Sequence, residues 1–239
     1  MKKLLLATAL LTLGTSAIAQ TVRLGTEGAY PPYNFINDAG EVDGFERKLG
    51  DELCKRATLT CEWTTNEWDS IIPNLQSGNY DVIIAGMSIT DERDQIIDFS
   101  ENYIPPATSA YLALKADVDV KTAVISAQVS TIQAGYVAES GATLLEFATP
   151  DETVAAVRNG EADAVFADKD YLAPIAAESN GELVLLTEEV ALGGGVGLGI
   201  RESDKELKAK FDTAIQSMKA DGTLNALIKE YFGEAALTF

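Results

Sequence analysis

Residues 75–93 read LQSGNYDVIIAGMSITDER. A helical stripe closes at Gly78, an apolar run from Val82 to Ala85 follows, and Gly86 breaks it. Thr90 is then a good N-cap residue, so Arg93 falls in the first turn of the helix that opens there. A cation at that position opposes the helix dipole, which favours anions. Either Asp91, Glu92 or Asp94 neutralises Arg93 on a solvated surface, or the arginine reaches an external anion near the strand end. Residues 157–168, VRNGEADAVFAD, repeat the pattern of 75–86: Gly78 and Gly160, Asp81 and Asp163, and Gly86 and Asp168 each stand 82 positions apart. Equal spacing across helix end, strand and strand exit predicts two lobes of similar construction.

The repeat also predicts geometry. Open parallel sheets bind ligands beyond the carboxyl ends of their strands. One lobe presents Gly86, Met87, Ser88 and Arg93 at that edge, and the other presents Asp168. A cation and an anion that face each other across a cleft match the carboxylate and ammonium of an α-amino acid.

Strands alternating with single helices extend the pattern in both directions. TVRLGT reads as a first strand, and the loop EGAYPPYNF after it is too rich in Gly and Pro to be regular. Phe45, Leu49 and Leu53 recur at helical spacing before the strand LTCEW. Trp68, Ile71, Ile72 and Leu75 form the next helical stripe, and YDVIIAG the third strand. In the second half, SAYLALK, KTAVIS, TLLEFA, ADAVFAD and LVLLT read as strands, while STIQAGYVAESG reads as a helix. TPDETVAAVRNG is a helix with Pro150 at its first position. LGGGVGLGI lacks a strand-then-helix context for a phosphate loop and reads as an extended connector. Two helices, about Asp204–Ala220 and Thr223–Tyr231, end the chain.

Composition narrows the function classes. The chain opens with Lys2 and Lys3, an apolar stretch from Leu4 to Leu13, and the small-x-small signal Ala17-Ile18-Ala19. This pattern predicts a secretory signal peptide over residues 1–19 and a periplasmic protein starting near Gln20. The formal charge is −19, from 18 basic and 37 acidic residues; losing Lys2 and Lys3 with that acid-free leader takes it to −21. Such a chain repels nucleic acid and anionic lipid. With no histidine at all, Ser-His-Asp and Cys-His catalysis and histidine zinc sites are excluded. Neither cofactor nor metal is expected. Cys54 and Cys61 in LCKRATLTCEW do not match a CxxC redox motif, and an oxidising compartment favours a structural disulfide between them.

GTEGAYPPYNF, GFERKLGDELCKR, EWDSIIPNLQSGNYDVIIAGMSITDER and ADGTLNALIKEYFG are similar to successive blocks of the periplasmic solute-binding proteins of family 3. The chain resembles most the branch that binds lysine, arginine, ornithine and histidine, whose disulfide falls where Cys54 and Cys61 stand. The resemblance implies an α/β, type II periplasmic-binding-protein fold with two lobes joined by two crossing strands. Lobe 1 would hold residues 20–107 and 196–239, lobe 2 residues 108–195, with crossings near Ala107–Ala110 and Gly194–Val196. It further implies a monomer that delivers an amino acid to a membrane ABC permease.

Roles follow residue by residue from the resemblance. Arg93 would fork the ligand carboxylate, which a guanidinium suits better than an ammonium. The Ser88 hydroxyl would bond the same carboxylate, the Gly86 carbonyl would accept from the α-ammonium, and Asp168 would hold that ammonium from the second lobe. Thr131 and the N–H of Ile132 would meet the carboxylate at a helix N-terminus. Tyr30 and Trp68 would sandwich the ligand side chain, and Glu27 would pair with its cationic end. Two departures stand out: Ser130 replaces the family's usual glycine before the threonine, and KADVDVKTAVIS is a shorter entry to the second lobe. Two alternatives use the same fold: a dehydratase-like periplasmic enzyme with Glu27 or Asp168 as general acid, and a binder of glutamine or an opine-like arginine derivative.

Overall fold

The structure, a computed structural model, describes residues 21–239, so the expected leader at 1–19 lies outside it. In chain order, β1 (Val22–Thr26) leads into a small antiparallel sheet of β2 (Ala29–Tyr30), β3 (Asn34–Ile36) and β4 (Val42–Asp43). The loop expected to be irregular therefore carries strands; its short backbone pairs satisfy donors and acceptors that a bare loop would leave to water. Helix α1 (Phe45–Arg56) buries Phe45, Leu49 and Leu53 on one face, and β5 (Cys61–Thr65) runs parallel to β1. The Cys54–Cys61 disulfide ties these two elements together. A 3₁₀ turn at Trp68–Ser70 opens α2 (Ile71–Gln76), and β6 (Val82–Ile83), α3 (Asp91–Asp94) and β7 (Asp98–Phe99) follow.

The second half comprises β8 (Thr108–Ala113), β9 (Val124–Gln128), α4 (Ile132–Ser140), β10 (Thr143–Phe147), α5 (Pro150–Arg158), β11 (Ala164–Asp168), α6 (Lys169–Glu178) and β12 (Val184–Ala191). The chain then returns to the first sheet as β13 (Gly199–Ile200) and ends in α7 (Lys205–Ala220) and α8 (Thr223–Phe232). The two large sheets have matching orders, β5-β1-β6-β13-β7 and β10-β9-β11-β8-β12. They are mixed rather than wholly parallel: β13 runs antiparallel to β6 and β7, and β8 antiparallel to β11 and β12. These antiparallel strands are the ones that enter from the opposite half, a direction local alternation does not reveal.

The repeat in the sequence is a repeat in space. Gly78 and Gly160 both take a left-handed turn, with φ of 76° and 75°. Asp81 Oδ2 accepts from the backbone N–H of Arg23 at 3.0 Å, and Asp163 Oδ2 accepts from that of Val124 at 2.8 Å. In each sheet one aspartate thus pins the third strand to the start of the second. Asp81 also holds Arg23 and Arg201 in ion pairs at 2.9 Å. The run Val82–Ala85 is apolar because both its faces are covered. Val82 and Ile84 pack toward α1, α7 and α8, whereas Ile83 and Ala85 pack with Ile71 and Leu75 of α2.

Two segments pass between the sheets. Ile104 pairs antiparallel with Val196, and the same ribbon continues as β8 against β12 from Thr108↔Ala191 onward. Ser88 bridges to Val196 as well, so the exit of β6 is fastened to this crossover.

Candidate functional site

The carboxyl ends of β1, β6, β9 and β11 converge on one narrow cavity. Glu27, Tyr30, Trp68, Gly86, Ser88, Arg93, Thr131, Ile132 and Asp168, the residues singled out from the sequence, all line it. Ala85, Gln128 and Gln133 line it too and were not anticipated. The two glutamines occupy positions the strand-edge argument covers, the last residue of β9 and the first turn of α4.

Arg93 is in the first turn of α3, as the Thr90 cap predicts: the Thr90 hydroxyl accepts from the Arg93 N–H at 3.2 Å. Its guanidinium turns inward, and the residue as a whole is 9% exposed. Nη1 donates to the Ser88 carbonyl at 2.9 Å and Nη2 to the Ser130 carbonyl at 3.3 Å, while Cζ lies 5.4 Å from the centre of the Trp68 ring. Among the described residues it makes no ion pair; burial pulls its pKa down to about 10, with Asp168 and Glu92 partly restoring it. A buried cation held by neutral carbonyls and an aromatic face lacks a counter-charge, and burying an unpaired charge is costly.

Asp168, at the end of β11, faces it from the other sheet. Its Oδ1 accepts from Gln133 Nε2 and its Oδ2 from the Tyr30 hydroxyl, both at 2.9 Å. Burial raises its pKa to about 6; Asp170 adds to the rise, while Tyr30, Arg93 and Gln133 oppose it. Glu27, just past β1, accepts from Gln128 Nε2 at 2.6 Å. Its pKa rises to about 7, chiefly through burial, with Glu67 and Asp151 adding like charge and the Gln128 bond opposing. That end of the cavity therefore crowds a buried carboxyl with like charge, and a cation placed there would favour its ionised form.

Gly86 has φ of 63°, which favours glycine, and its N–H donates to Glu46 Oε1 at 2.7 Å. Its carbonyl is the group left for the cavity. Thr131 caps α4: its hydroxyl accepts from the Ala134 N–H at 3.1 Å and donates to the Gln128 carbonyl at 2.7 Å. With that proton committed, the donors offered at this helix start are backbone N–H groups. Ser130 takes the left-handed conformation, with φ of 59°, a region that favours glycine. The two rings expected to enclose a ligand side chain have protein partners here. Tyr30 stacks on Tyr171 at 4.4 Å and on Tyr33 at 5.7 Å, and Trp68 carries the Arg93 guanidinium.

Comparison with known proteins bears on the family and the fold. The family profile described as bacterial extracellular solute-binding proteins, family 3, matches residues 22–234. The L-arginine-binding protein of Pseudomonas aeruginosa is 30% identical, with 97% of each chain covered. The lysine/arginine/ornithine-binding periplasmic protein of Escherichia coli is 31% identical, again over 97% of each. Among solved structures, a periplasmic His/Glu/Gln/Arg/opine family-binding protein from Silicibacter pomeroyi in complex with lysine is 72% identical. It superposes with a TM-score of 0.90 over 91% of this chain and 100% of that one.

Proposed function

The chain belongs to the bacterial extracellular solute-binding proteins, family 3, and on that premise we propose that it is the amino-acid-binding component of an ABC uptake transporter, taking a basic amino acid. The observation that carries this reading is the charge layout of one cavity. A buried Arg93 lacks a carboxylate partner among the described residues, Asp168 faces it from the opposite sheet, and Glu27 places a second, separate carboxyl at the other end. An α-amino acid with a guanidinium or ammonium side chain supplies all three complements. Arg93, Ser88 and the N–H groups at Thr131 and Ile132 take the carboxylate. Asp168 and the Gly86 carbonyl take the α-ammonium, and Glu27 takes the distal cation beside Tyr30 and Trp68. The relatives named above for arginine and lysine support the same class.

The lobes of this reading are residues 20–107 with 196–239, and 108–195. They close as a clamp, because the groups that would hold one ligand come from both. The protein is exported on its leader to the periplasm and works as a monomer. Closure presents the surface that a membrane permease engages. Glu27 and Asp168, the two candidates for a general acid, each have a binding role in this reading.

Calorimetry of the mature protein tests this against L-arginine, L-lysine, L-ornithine, L-histidine, L-glutamine and an arginine-derived opine. At least one basic amino acid should bind at micromolar affinity or tighter, with a smaller radius of gyration in solution scattering. Saturable binding of the neutral ligand alone would overturn the assignment.

A further inference from the structure

Beneath the cavity lies a carboxylate that none of the roles above uses. Glu46, in the first turn of α1, is fully buried and makes no ion pair among the described residues. Its Oε2 accepts from Asn34 Nδ2 at 2.7 Å, and its Oε1 accepts from the Gly86 N–H at 2.7 Å and from the Tyr103 hydroxyl. Asn34 Oδ1 in turn accepts from the Gly28 N–H at 2.7 Å, which fixes the orientation of that amide. The chain of bonds therefore runs from the loop carrying Glu27 and Tyr30, through Asn34 and Glu46, to Gly86. The Tyr103 branch reaches the crossover, where the Tyr103 N–H donates to the Val196 carbonyl at 2.8 Å.

We propose that Glu46 is the positioning residue that holds the Glu27 loop and Gly86 in register with each other and with the crossover at Tyr103. It touches no ligand. It acts by accepting from three donors that belong to separate segments, a task only an acceptor on both oxygens performs. The Gly28 and Gly86 N–H groups, the Asn34 NH₂ and the Tyr103 hydroxyl all point toward Glu46 or toward Asn34 Oδ1, so polarity among these four donors runs one way. An amide at position 46 breaks that order. If its oxygen stays with Gly86 and Tyr103, its NH₂ meets the NH₂ of Asn34. If Asn34 then flips, its NH₂ meets the Gly28 N–H. Keeping the oxygen on Gly86 and Tyr103 preserves two bonds where the reversed amide preserves one, so the misfit falls on Asn34 and through it on Gly28, next to Glu27, and a buried unpaired donor is expensive.

The same logic gives a rescue. In the double variant N34D/E46Q, the carboxylate introduced at position 34 accepts both from the Gly28 N–H and from the amide NH₂ introduced at position 46. The oxygen of that amide accepts from Gly86 and Tyr103. Every bond is restored with the carboxylate moved one residue along the network.

The inference rests on the basic-amino-acid reading above, and the experiment separates the two. L-arginine and L-glutamine are titrated into wild type, E46Q and N34D/E46Q, and the glycine amide resonances are followed by NMR. E46Q should lose about tenfold or more in L-arginine affinity. It should also lose preference for L-arginine over L-glutamine, which a general loss of stability would not produce. Both should return in the double variant. The Gly28 amide should shift in E46Q together with that of Gly86, although Gly28 does not touch residue 46. If wild type binds neither ligand, the functional reading fails, and the paired glycine shifts still decide the positioning role. Unchanged selectivity in a folded E46Q that binds L-arginine, or a Gly28 resonance that stays in place, overturns it. Should E46Q not fold, the double variant decides: it must fold with wild-type selectivity, and its failure to do so overturns the inference.

Discussion

The Tyr30 hydroxyl donates to Asp168 Oδ2 at 2.9 Å, joining residues 138 positions apart and the ends of two different sheets. The ring of the same tyrosine stacks on Tyr171, so the first loop is fastened to the second half by a polar and an aromatic contact together. Tyr30→Phe keeps the ring and removes only the hydrogen bond. Closure should become weaker, with L-arginine affinity falling about ten- to a hundredfold, because a hydrogen bond to a carboxylate contributes about 1.5–3 kcal/mol. Calorimetry checks this, and unchanged affinity would reduce the contact to packing.

Arg93→Ala should abolish measurable binding of every amino acid tested. Removing one partner of a buried charge pair costs about 3–5 kcal/mol, a hundredfold or more in affinity. Arg93→Lys should restore little, since an ammonium cannot span the Ser88 and Ser130 carbonyls and still fork a carboxylate. The apoprotein tells the two roles apart. Relieved of an unpaired buried cation, Arg93→Ala should melt no lower than wild type without ligand.

Glu27 makes binding of a cationic ligand depend on pH. Its pKa is raised to about 7, so below that the carboxyl is largely protonated and cannot pair with a cation. L-arginine affinity should rise with pH through 7 and level off above about 8. Folding stability runs the other way: with the folded pKa above the unfolded value near 4.5, the native state binds more protons, and this group's contribution falls as pH rises from 4.5 to 7. Glu27→Gln should flatten both profiles and spare L-glutamine. Equal loss for both ligands would mean that Glu27 only shapes its loop.

Ser130 tests the backbone. With φ of 59°, it sits where glycine costs nothing and a β-branched residue costs most. Ser130→Gly should leave stability unchanged or raise it by up to about 1 kcal/mol, with ligand affinity kept. Ser130→Val should lose about 1–2 kcal/mol and weaken binding, because the Ser130 carbonyl that meets Arg93 would be displaced. Thermal melts with and without L-arginine separate the two effects.

Asp81 governs acid stability. Burial alone would raise its pKa, but hydrogen bonds from Arg23 and Arg201 bring it down to about 2. A depressed carboxylate contributes stability above its unfolded pKa near 3.8 and loses it as pH falls toward 2. Asp81→Asn should lower the melting temperature at neutral pH and make the acid transition shallower. Acid titration followed by circular dichroism measures both.

Several of these residues could be named in advance because their signals are local. Thr90 as a cap, the break at Gly86 and the paired exits Gly86 and Asp168 follow from short-range rules. The spacing of 82 residues shows that these rules operate twice. Gln133 was within reach of the same strand-edge argument. Glu46 was not: an acid beside Phe45 in an amphipathic helix reads as solvent-facing, and only its three buried donors reveal otherwise. The antiparallel strands β8 and β13 were hidden for a similar reason, since strand direction is set by where the chain re-enters a sheet.

The sequence alone determined the alternation of strands and helices, the doubled lobe, the absence of histidine chemistry and the chemical types gathered at the strand ends. Each depends on residues within a few turns of one another or on a repeat of such a unit. Tertiary structure decided what those residues do to one another. It turned Arg93 inward against Trp68, committed the Thr131 proton to Gln128, stacked Tyr30 on Tyr171 and placed Glu46 under Gly86. Those outcomes depend on burial and on partners up to 141 positions away, as Tyr30 and Tyr171 are. The free energy of a charge or a hydroxyl is set by what surrounds it once water has been excluded.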